Sequence, residues 1–98
     1  MGGLAPAYPI ASADATAAMS KRSPPSQQNA LLSLLREIRS DAGLRQVDLA
    51  EKLGQPQPYV SRYESGERRL DILELRQVCD AVGIKLEEFV ARLEKRLE

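Results

Sequence analysis

Histidine is absent from the 98 residues, and cysteine occurs once, as Cys79. A single chain with one thiol and no imidazole cannot close a disulfide, assemble a Cys/His zinc site or pair a thiol with a histidine base. No metal or cofactor is expected. No nucleophile stands with a base beside it and no Gly-rich phosphate loop occurs, so the chain does not read as an enzyme. Neither sign of charge is in excess, with 14 basic and 14 acidic residues. Whole-molecule electrostatics therefore gives no push toward nucleic acid or an anionic membrane, and any such binding must come from local charge. No apolar run approaches the ~20 residues that span a bilayer. The N-terminus lacks the basic region and apolar core of a secretory signal. A soluble protein of the cytoplasm is expected.

The 43% apolar content is enough for one small domain and one core. Residues 1–26 mix Ala, Ser, Gly and Pro without a sustained apolar period and are expected to form a disordered tail. Met19, followed by SKRSPP, would make an ordinary beginning for a shorter polypeptide, which marks residues 1–18 as a candidate upstream extension. Lys21 and Arg22 form a loose basic pair in that tail, read as solvated rather than as a groove-following arm. The domain is expected over residues 27–98.

From Ser26 the pattern becomes helical. Leu31, Leu34, Leu35, Ile38 and Ala42 recur at helical spacing, with Arg36, Glu37, Arg39 and Asp41 assigned to the opposite side, and Gly43 ends the segment. A short second helix carries Leu49, Ala50 and Leu53 and stops at Gly54. A third, Tyr59 to Glu64, presents Val60 and Tyr63 before Ser65 and Gly66. Asp71 is a candidate N-cap for a fourth, lined by Ile72, Leu75, Val78, Cys79 and Val82 up to Gly83. Leu86, Phe89, Val90, Leu93 and Leu97 define a fifth. No alternating or β-branched run competes, so the fold class is all-α, five helices.

Pro56 and Pro58 stand at the mouth of the third helix. The first turn of a helix has amide hydrogens without intrahelical acceptors, so a missing N–H costs nothing there. Pro58 biases Gln57 away from the α region, which favours Gln57 as N-cap; the alternative start has Pro56 as the cap. Either way the two prolines stiffen the turn and fix the angle at which the helix leaves it.

Two short helices joined by a glycine-containing turn and held by flanking helices are the plan of a helix-turn-helix reader. The run LRQVDLAEKLGQPQPYVSRYESGERRLDILELRQVCDAVGIKLEEF, Leu44 to Phe89, resembles the Cro/lambda-repressor-type, or XRE-family, helix-turn-helix domain. The matching positions are Gln46, Leu49, Ala50, Leu53 and Gly54; Gln57, Val60, Ser61, Arg62 and Glu64; and Gly66, Leu75, Ala81, Gly83 and Phe89. The resemblance implies a five-helix bundle whose third helix enters the major groove of double-stranded DNA. Val60 and Tyr63 must face the core, which leaves Gln57, Pro58, Ser61 and Arg62 on the other face. Arg62 suits guanine N7 and O6, Gln57 suits adenine N6 and N7, Ser61 bonds either way, and Pro58 offers apolar contact to a thymine methyl. Pro58 departs from the polar residue that many relatives carry there.

By the same resemblance Gln46 bonds phosphate and braces Gln57, while Tyr59 and Arg68 touch the adjoining strand. Arg45 stands where relatives carry a capping Thr or Ser; it cannot cap in that way, but beside a helix N-terminus it is placed to reach a phosphate. Glu64 reads as a structural partner for backbone or basic groups, Tyr63 as core, and Cys79 as a small buried residue. Val90, Leu93 and Leu97 form a stripe on the fifth helix that is a candidate homodimer interface. A two-fold dimer would bind a palindromic operator with half-sites about one helical turn, ~34 Å, apart. The expected function is therefore transcriptional repression at such an operator. The rival is a protein-interaction module, such as an antitoxin or adaptor, that keeps the fold without DNA affinity.

Overall fold

A computed structural model describes residues 25–98. It contains five helices among the described residues: α1 (Pro25–Asp41), α2 (Gln46–Leu53), α3 (Gln57–Ser65), α4 (Ile72–Val82) and α5 (Leu86–Leu97). The all-α expectation holds, with α1 opening one residue ahead of Ser26. Residues 1–24 of the expected tail, among them Met19, Lys21 and Arg22, lie outside the described residues, while Pro25 and Ser26, also assigned to the tail, open α1.

Each helix contributes its apolar stripe to one core. Leu34, Leu35 and Ile38 enter it from α1, Leu49 and Ala50 from α2, Val60 and Tyr63 from α3, Val78 and Cys79 from α4, and Phe89 from α5. α1 lies along α3, α4 and α5, while α2 packs chiefly on α3 and also on α4. The two shortest helices are thus held by their neighbours, since eight or nine residues do not sustain a helix alone in water. Burying a side chain such as Leu49, fully enclosed, stabilises by about 1.5–3 kcal/mol. Truncating it to Ala would cost about 2–5 kcal/mol, because the neighbours relax only partly into the space left.

The helix ends follow local chemistry. Asp71 caps α4 by accepting the Glu74 N–H at 2.8 Å, and the Glu74 carboxylate returns the bond to the Asp71 N–H at 3.0 Å. Gly66 closes α3 with φ 88°, a left-handed conformation that lets Glu67 N–H reach the Arg62 carbonyl at 2.9 Å. A Cβ on Gly66 would also come within 3.1 Å of Leu32 Cδ1, so both backbone and packing favour glycine there.

Several sequence expectations are corrected. Ile72 and Ala42, assigned to apolar inner faces, lie outside the core: Ile72 opens α4 and is 59% exposed, and Ala42 is exposed just past the end of α1. The N-cap of α3 is Pro56, at φ −64° and ψ 152°, with Gln57 and Pro58 inside the first turn. Tyr59 N–H closes that turn on the Pro56 carbonyl at 2.9 Å, which outweighs the bias of a residue before proline against helical angles. Arg39 does not sit on the outer side of α1. Its side chain is only 16% exposed and turns inward to Glu64, because a long apolar stem can be buried while the guanidinium finds a carboxylate.

Candidate nucleic-acid interface

The outer side of α3 is built by elimination. Val60, Tyr63 and Glu64 are buried; of the other six residues of the helix, Tyr59 is half-buried at its edge and Ser65 is the last, which leaves Gln57, Pro58, Ser61 and Arg62 on the outer arc. Gln57, Pro58 and Arg62 are exposed and Ser61 is half-buried. The Ser61 hydroxyl donates to the Pro58 carbonyl at 3.1 Å, one turn back along the helix. The Arg62 side chain is 59% exposed, and its Nε lies 3.9 Å from Glu67 Oε2, a loose and solvated pairing.

Beneath α3 the anchoring is polar as well as apolar. Glu64, 2% exposed, receives Arg39 Nε at 2.7 Å and Nη2 at 3.0 Å on its two oxygens. Gln46 Nε2 adds a third bond to Oε1 at 3.0 Å, and Arg36 Nη1 donates to the Glu64 main-chain carbonyl at 3.0 Å. Three side chains from two helices, α1 and α2, therefore converge on the C-terminal turn of α3. The expectation that Glu64 is a structural partner matches this arrangement. Gln46 braces α3 through Glu64, whereas the sequence reading had it brace Gln57.

Beside that face, Tyr59 is half-buried, and its ring meets Tyr63 edge-on with centroids 5.7 Å apart. The Arg68 guanidinium lies 4.7 Å from the centre of the Tyr59 ring. The same guanidinium is forked onto Glu74, at 3.2 Å and 2.9 Å, and donates to the Arg69 carbonyl at 3.0 Å. Those bonds hold Glu74 below the usual carboxylate range, the Arg68 side chain being the largest cause. Burial, above all, pushes the Tyr59 phenol up.

Gln55, Pro56, Pro58, Tyr59, Arg62 and Arg68 surround an open cleft of about 320 Å³. Two guanidinium groups border it and no carboxylate residue lines it, although Arg68 is paired with Glu74 and Arg62 loosely with Glu67. Of the residues singled out in the sequence, the fold brings Pro58, Tyr59, Arg62 and Arg68 to this one cleft, with Gln57 and Ser61 on the same helix. Arg45 stands apart, at the N-cap of α2. Its Nε and Nη2 bond the two Asp48 oxygens at 2.9 Å each, and its own N–H donates to Asp48 Oδ2 at 2.9 Å. A guanidinium has no acceptor, so the capping here is done by Asp48. Those bonds hold the Asp48 carboxyl down to about 2, the side-chain bond from Arg45 first.

Sequence reasoning missed the linkage of Arg68 to Glu74 and Tyr59. Asp-x-x-Glu at 71–74 marks Glu74 as a capping residue, but nothing in that pattern shows an arginine six positions earlier folding back on it.

The fifth helix keeps Leu93 packed against the core, while Val90 and Leu97 are 40% and 37% exposed. Among the described residues no helix is long and apolar enough to cross a membrane.

Two short helices in contact, joined by a tight turn, with the second presenting a polar arc beside a cleft bordered by two arginines, define a helix-turn-helix protein. The helix-turn-helix family HTH_3 matches residues 35–89. Among solved structures, the chain is similar to an XRE-family like protein from Pseudomonas syringae pv. tomato. The identity is 38% and the TM-score 0.70, covering 87% of this chain and 99% of that one. It is also similar to the clp gene regulator ClgR from C. glutamicum, at 26% identity and TM-score 0.66, covering 79% and 99%. No curated protein matches. The chain belongs to the XRE family of helix-turn-helix proteins, whose class is the DNA-binding regulator.

Proposed function

We propose that the protein is a sequence-specific, double-stranded-DNA-binding transcriptional repressor that acts as a homodimer in the cytoplasm, on the nucleoid. α3 of each subunit enters a major groove. The observation that carries this reading is the division of α3. Val60, Tyr63 and Glu64 are locked inside the fold, whereas Gln57, Pro58 and Arg62 stand free, with Ser61 beside them. Arg62 reads guanine and Gln57 reads adenine, with Ser61 and Pro58 supplying a polar and an apolar contact between them. Arg68, Tyr59 and the Arg45–Gln46 end of α2 meet phosphate, which positions the helix without specifying sequence. Few phosphates are neutralised, so binding is salt-sensitive with a moderate slope. An occupied operator blocks transcription without further machinery, which favours repression. A regulator among the similar structures supports the regulatory role.

The dimer is built on α5, where Val90 and Leu97 leave apolar surface outside the core and Val90 borders a groove of about 720 Å³ beside α4. Two-fold symmetry sets half-sites ~34 Å apart. The test is selection of bound fragments from random duplex DNA. The expected result is a near-palindromic motif that protects one face of the duplex, lost with Val90→Asp/Leu97→Asp as sedimentation falls to the monomer. An unenriched pool would instead favour the protein-interaction reading, for which exposed Ile72 and Leu73 at the start of α4 give surface.

A further inference from the structure

Ile72 opens α4 with 59% of its surface exposed. From it one row of the helix runs in steps of four through Arg76 to Asp80, and the next step, just past the Gly83 cap, is Ile84. In order the row is apolar, basic, acidic, apolar. Read backwards it is apolar, acidic, basic, apolar, so the row is complementary to its own reverse. Arg76, Asp80 and Ile84 border the groove of about 720 Å³ beside α4, and Leu86 and Val90 of α5 supply the rest of its apolar lining. Arg76 and Asp80 are exposed and, among the described residues, form no ion pair within the protein. Glu88 and Arg92, also four apart, do pair, at 2.7 Å. The acid precedes the base there, the favoured order on a helix, whereas Arg76 precedes Asp80. Lys85 and Glu87, the other charges on the groove, follow the row as Asp71 and Arg69 precede it, again with opposite signs in reversed order.

We infer that this row is the seam of the homodimer: α4 of a second copy lies antiparallel on α4, with the two-fold axis between Arg76 and Asp80. Arg76 then meets the partner's Asp80, and Asp80 the partner's Arg76, as an isologous contact requires. Each Ile72 enters the groove of the other subunit, onto Ile84, Leu86 and Val90. One symmetry operation thus matches the charges left unpaired within a single chain and covers the isoleucine left outside its core. A parallel arrangement in register would set like charges against each other, which fixes the direction of the second helix. The inference rests on the homodimer of the proposed function and deepens it, joining Val90 to residues of α4. It does not require that α3 read DNA.

Sedimentation of the full chain tests the seam, with wild type expected as a dimer. Arg76→Glu and Asp80→Arg are each expected to weaken dimerisation more than about tenfold, because two like-charge contacts replace two attractive ones. Helix content by circular dichroism should stay unchanged, since both positions are exposed. An equimolar mixture of the two variants is expected to form a heterodimer, in which each contact is again between opposite charges. In wild type mixed from differently labelled chains, NMR should show contacts between the Ile72 and Ile84 methyls of different subunits, a readout that needs no variant. A monomeric wild type would overturn the dimer and its seam together. A dimer indifferent to both single substitutions, a mixture that stays monomeric, or no Ile72 to Ile84 contact across subunits would overturn the seam alone and leave the interface to α5.

Discussion

The Arg39 guanidinium grips both oxygens of Glu64, at 2.7 and 3.0 Å, across 25 positions of sequence. A carboxylate 2% exposed is costly to leave unpaired. Arg39→Ala is expected to destabilise by about 3 kcal/mol, read as a lower urea midpoint at unchanged slope. Arg39→Met/Glu64→Leu should recover part of that loss, because an apolar pair of similar volume escapes the desolvation penalty. A double variant no better than the single one would show that the Glu64 carboxylate, still bonded by the Gln46 amide, is not what destabilises the single variant.

Arg62 and Gln46 should separate readout from positioning. Arg62→Ala is expected to cost about 1–3 kcal/mol of specific affinity with little effect on random duplex. Gln46→Ala should lower both by similar factors, since it removes a phosphate donor and loosens the C-terminal turn of α3. Fluorescence anisotropy on a selected operator and on scrambled DNA measures the two; equal losses for both variants would reverse the assignment.

Glu74 restrains Arg68. With Glu74→Gln the amide oxygen still accepts the Asp71 N–H, but the charge that holds the guanidinium is gone. To meet phosphate, wild-type Arg68 must give up Glu74, so the released arginine is expected to tighten binding to any sequence. Unchanged affinity for both operator and scrambled duplex would show that Arg68 does not reach phosphate.

Acid should act on α2 through Asp48. Its folded-state carboxyl sits at about 2 against an ordinary 3.8, so folding favours the ionised form. That contribution is complete above pH 3.8 and is lost as pH falls toward 2. The difference in denaturation midpoint between wild type and Asp48→Asn should therefore shrink across this window. A difference constant with pH would mean that the Arg45–Asp48 bonds do not persist in solution.

Much of the fold was legible because helices announce themselves through spacing and stops: Leu34, Ile38, Gly54, Gly66 and Asp71 all act locally. The polar arc of α3 was legible for the same reason, once Val60 and Tyr63 were assigned inward. Arg39 was not, since a long charged side chain at the border of an apolar stripe looks the same whether it is solvated or folded over a distant acid. The partners of Arg68 and Gln46 were hidden likewise: side-chain hydrogen bonds between elements leave no period in sequence. The choice between Pro56 and Gln57 as cap turned on one amide, that of Tyr59.

On α3, the residues that fasten the helix and those that face outward interleave along nine positions without sharing a side chain. Gln57, Pro58, Ser61 and Arg62 can therefore be exchanged as a set while Val60, Tyr63 and Glu64 keep the scaffold folded. If the proposed reading holds, recognition in such a helix is a replaceable part, open to retargeting by evolution or by design at little risk to the structure beneath it.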